Sequence, residues 1–78
     1  MSVSKINKSI DPDLKVLGDK IRDLREAKGL NRDIFVREAE LSKYYYYRIE
    51  YGNANPSILQ LRKIAKALGV KVKDLVDF

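Results

Sequence analysis

Five α-helices and no strand are expected of this 78-residue chain, on three grounds. Cap residues and helix stops recur along it, apolar residues between them return at spacings of three and four, and no segment alternates with period two. The length suits one domain that folds alone with little stability to spare.

Residues 1–10, "MSVSKINKSI", read as a polar N-terminal arm, and residues 11–78 as the domain. Asp11-Pro12 is an N-cap followed by proline at the first helical position. Leu14, Leu17, Ile21 and Leu24 then mark one face up to Gly29, so the first helix covers about 12–28. Asn31 caps a second helix at about 32–40, in which Phe35, Val36 and Ala39 share a face and Leu30 stands where it would staple onto Phe35. Ser42 repeats that arrangement with Leu41 and Tyr46, which makes the run Tyr44-Tyr45-Tyr46-Tyr47 part of a third helix at about 43–51. Ser57 and Gln60 have capping-box spacing, and Ile58, Leu61, Ile64, Ala65 and Leu68 form a stripe that stops at Gly69. A short fifth helix is expected over Val72–Val76, although Lys71 is a poor N-cap. Read as a strand, 44–51 would have no second strand to pair with.

The composition, 45% hydrophobic and 35% charged, is that of a globular protein rather than a disordered one. Cysteine and histidine are both absent, which removes disulfide and thiolate chemistry, the commonest general base and the commonest metal ligand. No cofactor or metal is expected. Any enzyme site would need paired carboxylates, and the acids here are scattered beside lysines as surface helix pairs usually are, so an enzyme is not expected. No apolar run is long enough to span a bilayer and no secretory h-region opens the chain, which points to the cytoplasm. The net charge of +5 is uneven: residues 1–40 carry nine Lys/Arg against eight Asp/Glu, whereas 41–73 carry seven against the single Glu50. The basic excess lies with the tyrosines, either as a solvated face or as a surface for an anionic partner.

Three stretches, "LGDKIRDLREAKGLN", "RIEYGNANPS" and "LRKIAKALGVKVKDL", carry I-x-x-L-R, I-E-x-G, N-P-S and I-A-x-A-L-G-V elements in order between Leu17 and Leu75. In these the chain resembles the phage repressor and Cro-like helix-turn-helix family, also called the xenobiotic response element family. The resemblance implies a five-helix, lambda-repressor-like domain. It also implies a sequence-specific regulator of transcription that binds double-stranded operator DNA, an inverted repeat, as a homodimer with its third helix in the major groove. Two positions depart from the pattern. Glu40 stands in the turn between the second and third helices, where the family has glycine or another small residue, and the tyrosines stand where many members have small polar residues. A positive φ at Glu40 would cost about 1 kcal/mol.

With Ser42 as cap, the helical period sends Tyr46 and Ile49 into the core and Tyr44, Tyr47, Arg48 and Tyr51 to the opposite side, with Lys43 at the exposed end. In the family that side meets DNA. Tyr45 lies on the flank, either packing on the second helix or reaching a phosphate. Arg48 suits guanine O6 and N7, with a phosphate or a surface ion pair as the alternative, and Lys43 suits guanine or phosphate. Tyr44 and Tyr47 suit contact without a defined base. Arg32, in the first turn of the second helix, stands where the family offers glutamine to a phosphate. Asn53 and Asn55 follow in a loop that crosses the DNA backbone in the family, unless they serve the turn alone. Arg25 and Glu50 match positions that pair in the family as a buried salt bridge. Leu75, Val76 and Phe78 are more apolar than a short terminal helix can bury, and are expected at a dimer contact.

A competing reading is an antitoxin or accessory subunit whose helix-turn-helix binds a protein encoded nearby. RNA is third, for want of an aromatic platform on a sheet.

Overall fold

The computed structural model describes residues 11–77, all helix and connecting turns. The arm at 1–10 and Phe78 lie outside the described residues. The helices are α1 (Pro12–Ala27), α2 (Arg32–Ala39), α3 (Lys43–Glu50), α4 (Ile58–Leu68) and α5 (Val72–Leu75). Each of the first four opens on a side chain that accepts a backbone N–H: Asp11 from Asp13, Asn31 from Ile34, Ser42 from Tyr45 and Ser57 from Gln60. Gln60 returns the bond by accepting from the Ser57 N–H at 2.9 Å, which completes a capping box. Lys71 provides no side-chain cap, but its N–H donates to the Asp74 carboxylate at 2.9 Å, so α5 is tied from its third residue instead.

α1, α2, α3 and α5 each end one residue earlier than expected, because Lys28, Glu40, Tyr51 and Val76 are C-caps. Glu40 has φ 58° and ψ 46°, a left-handed conformation that costs a β-carbon about 1 kcal/mol relative to glycine. The turn is held by Leu41 N–H donating to the Val36 carbonyl and Lys63 donating to the carbonyl of Glu40.

α1 lies along α3, α2 packs on α4 and α3, and α5 closes the far end against α4 and α1. Leu17, Ile21, Phe35, Tyr46, Ile49, Ile64, Leu68 and Leu75 fill the space between them. Leu75 has no exposed surface, so it belongs to the chain's own core and not to the dimer contact that the sequence suggested; its neighbour Val76 stays 38% exposed.

Gly18 brings α1 onto α3. A β-carbon there would run into the carbonyl oxygens of Ile49 and Glu50, so the two backbones meet with no side chain between them. The same end of α3 is fixed by charge. Arg25 of α1 donates through Nε to Glu50 Oε2 at 2.7 Å and through Nη2 to Oε1 at 3.3 Å, and its Nη1 donates to the Leu30 carbonyl at 2.8 Å. The Tyr46 hydroxyl donates to Glu50 as well. Burial weakens the Arg25 charge, but the Glu50 carboxylate outweighs it and holds the guanidinium pKa above its ordinary value. Among the described residues every buried side-chain nitrogen and oxygen has a partner.

Candidate nucleic-acid interface

α3 divides its eight residues as the 3.6-residue period requires. Tyr46, Ile49 and Glu50 are buried, with the Tyr46 ring 5.1 Å from that of Phe35. Lys43, Tyr44 and Arg48 are exposed, Tyr44 to 75%. The four consecutive tyrosines therefore occupy four different environments.

Tyr45 is half-buried, and its hydroxyl donates to Gln60 Oε1 at 2.6 Å. It ties α3 to the first turn of α4, whereas the sequence suggested α2 or a phosphate. Gln60 thus closes its own capping box and receives Tyr45, a second role that the box spacing does not disclose.

Tyr47 is also half-buried, although its helical phase points outward. What covers it is Arg32 of α2, whose guanidinium carbon lies 4.4 Å from the ring centroid. Arg32 donates to the Tyr51 hydroxyl at 3.2 Å and lies 6.0 Å from the Tyr51 ring. That hydrogen bond is the main reason its pKa stands above the usual arginine value. Lys43 Nζ is 5.8 Å from the Tyr47 ring.

Asp33 completes the cluster. Its Oδ1 accepts from Lys43 at 3.1 Å and from the Tyr47 hydroxyl at 3.3 Å, and the Lys43 bond above all holds the carboxyl pKa below its ordinary value. Sequence reasoning passed over Asp33; the signal was its place next to Arg32 in a first turn, where acids also complement the helix dipole. Asn31, Arg32, Asp33 and Tyr47 line a shallow depression between α2 and α3.

Arg48 and Asn53 meet as well: Nη2 of the arginine donates to the Asn53 carbonyl at 2.8 Å and anchors the loop that follows α3. Most of the guanidinium's donors remain free for another acceptor. Asn53 and Asn55 are exposed on that loop, with Ala54 buried between them. At the start of α4, Ile58 and Leu59 expose 57% and 61% of their surface; the sequence put Ile58 on the apolar stripe, but only Leu61, Ile64, Ala65 and Leu68 of that stripe are buried, because no described residue packs over that side of the first turn. No described helix is long and apolar enough to cross a membrane.

Arg32, Lys43, Arg48 and their tyrosines form a cationic, aromatic surface of the kind that meets phosphates and base edges. A helix-turn-helix domain family model matches residues 18–77. The chain is 39% identical over 64 residues to the control protein C.BamHI of Bacillus amyloliquefaciens, a match covering 81% of this chain and 79% of that one. To the control protein C.MunI of a Mycoplasma species it is 35% identical over 65 residues, covering 81% and 88%. The crystal structure of the restriction-modification controller protein C.AhdI from Aeromonas hydrophila superimposes with a TM-score of 0.81 at 32% identity, over 83% of this chain and 98% of that one.

Proposed function

Since the chain belongs to the helix-turn-helix domain family, we propose that it is a DNA-binding regulator of transcription that lays the exposed side of α3 in the major groove. The observation that carries this is the pairing of α2 and α3 across their turn, which puts Arg32, Lys43 and Tyr47 in one cluster beside the exposed Tyr44 and Arg48. Arg32 and Lys43 supply phosphate contacts, and Arg48 is the candidate base reader. The regulated genes are those of a restriction–modification pair, because similar proteins include two control proteins and a restriction-modification controller. The role is binding rather than catalysis, and its place is the cytoplasm, with the DNA.

One α3 reads only a few base pairs, so the reading includes a two-fold dimer on an inverted repeat with half-sites about 34 Å apart. Ile58 and Leu59 supply its contact, since they are exposed, aliphatic and just beyond the loop that follows α3.

The test is titration of the chain against DNA from upstream of its own gene. Affinity should fall by orders of magnitude between about 50 and 200 mM salt. Lack of binding at the lower salt would sink the reading. Sedimentation with the same DNA should show two chains per site, and Leu59→Glu should abolish the pairing whereas Val76→Glu should leave it.

A further inference from the structure

Arg32 is the only described cation that lies near two aromatic rings, that of Tyr47 in α3 and that of Tyr51 at its C-cap. Tyr47 and Tyr51 are four residues apart, which brings their side chains to the same side of a helix. Between them the guanidinium finds a ring at 4.4 Å and a hydroxyl acceptor at 3.2 Å. On the other helix, Asp33 accepts from the Tyr47 hydroxyl at 3.3 Å, a long and exposed bond that adds little to the ring's placement.

An arginine without such support loses the freedom of four side-chain torsions when it meets a phosphate, and that loss weakens binding. Here much of it has already been spent on folding. The Tyr47 ring also takes up the apolar side of the guanidinium, and the Tyr51 hydroxyl occupies one N–H, which leaves the remaining N–H groups for an acceptor.

We propose that Tyr47 and Tyr51 are positioning residues, an aromatic clamp that presets Arg32 for a DNA phosphate, and that they act through Arg32 rather than by touching DNA. The proposal rests on the DNA-binding reading above. It assigns two tyrosines that face the proposed DNA side by helical phase to a task within the protein. It also gives α2 and α3 a joint role, since the cation belongs to one and its seat to the other.

A phosphate contact is blind to sequence, so the probe is a random-sequence DNA duplex about three helical turns long. Leucine retains the bulk of tyrosine without the π face or the hydroxyl, so the variants are Tyr47→Leu with Tyr51→Leu, Arg32→Ala, and all three together. Thermal melts confirm that each is folded. Arg32→Ala should weaken binding about tenfold or more. The paired leucines should weaken it about five- to tenfold with Arg32 present and less than twofold with Arg32 already removed. Tyr47→Phe, which keeps the ring, should bind within about twofold of the parent.

Equal losses in the two backgrounds would overturn the clamp and return both tyrosines to the DNA surface. An Arg32→Ala protein that binds like the parent would overturn it by showing no phosphate contact to preset. Failure of the parent to bind any duplex would remove the DNA reading itself, an outcome separate from both. Should the leucine pair fail to fold, Tyr47→Leu and Tyr51→Leu taken singly supply the same cycle.

Discussion

Arg25 and Glu50, twenty-five residues apart, share two hydrogen bonds in the interior, and a third donor, the Tyr46 hydroxyl, completes the carboxylate. The pair fastens the base of α1 to the end of the helix proposed to enter the groove. Replacing one partner strands a buried charge, so Arg25→Met or Glu50→Gln should each cost about 3 to 5 kcal/mol in denaturant unfolding. The double replacement should cost less than the sum, which a double-mutant cycle measures. Additive losses would show that the two charges do not depend on each other.

Tyr46 makes stability sensitive to alkali. Burial first, and then the Glu50 carboxylate beside it, push its hydroxyl pKa well above that of an ordinary phenol. The folded-state pKa is raised, so the contribution is complete below the unfolded value of about 10 and is lost as pH climbs beyond it. There the unfolded chain releases a proton that the native state keeps. The slope from this group is about 1.4 kcal/mol per pH unit. Tyr46→Phe should start less stable at neutral pH, for want of the hydrogen bond to Glu50, and then decline less steeply above pH of about 10. Parallel curves for the two proteins would refute this origin of the alkaline loss.

Gly18→Ala reverses the usual helix rule. Alanine in a helix interior is ordinarily better than glycine by about 1 kcal/mol. Here its methyl meets backbone oxygens of Ile49 and Glu50, which cannot rotate away. The substitution should lower stability by about 1 to 3 kcal/mol and weaken DNA binding through a displaced α3. A higher melting temperature would show that the helices separate easily.

Asp33 places a carboxylate beside the cations proposed to meet phosphate, and it occupies Lys43 at 3.1 Å. Asp33→Asn removes the repulsion and frees the lysine. Non-specific duplex should then bind about fivefold more tightly, the worth of roughly 1 kcal/mol for one charge at contact distance in water. The dependence on salt should steepen by roughly one unit for each further phosphate neutralised. Unchanged affinity and slope would mean that Lys43 and Asp33 stay clear of the DNA.

Much of the fold was legible because its signals are local. Asp11, Asn31, Ser42 and Ser57 cap helices a few residues away, and the Leu61–Leu68 part of the α4 stripe needs only its own period. The burial of Tyr46 followed from the same phase. Tyr47 shows where that reasoning stops: phase gives the direction of a side chain, and only the approach of α2 reveals that Arg32 waits there. Tyr45 met Gln60 for the same reason, through a contact fifteen residues along the chain. Leu75 failed differently. An apolar residue in a single helical turn serves a core or an interface equally well, and the packing of α5 on α1 and α4, which decides for the core, is a long-range event.

Because α1 meets α3 through bare backbone at Gly18, the attachment of the helix proposed to read the groove does not depend on what most of its side chains are. Tyr46, Ile49 and Glu50 hold it, and Lys43, Tyr44 and Arg48 take no part in the core. Replacement there leaves the core untouched; it gives up surface contacts, the Arg48 bond to the Asn53 carbonyl and the Lys43 pair with Asp33. A lineage carrying this scaffold can acquire a new target by drift at a few codons, and grafting a relative's residues onto 43, 44 and 48 should transfer its preference while the recipient melts as before.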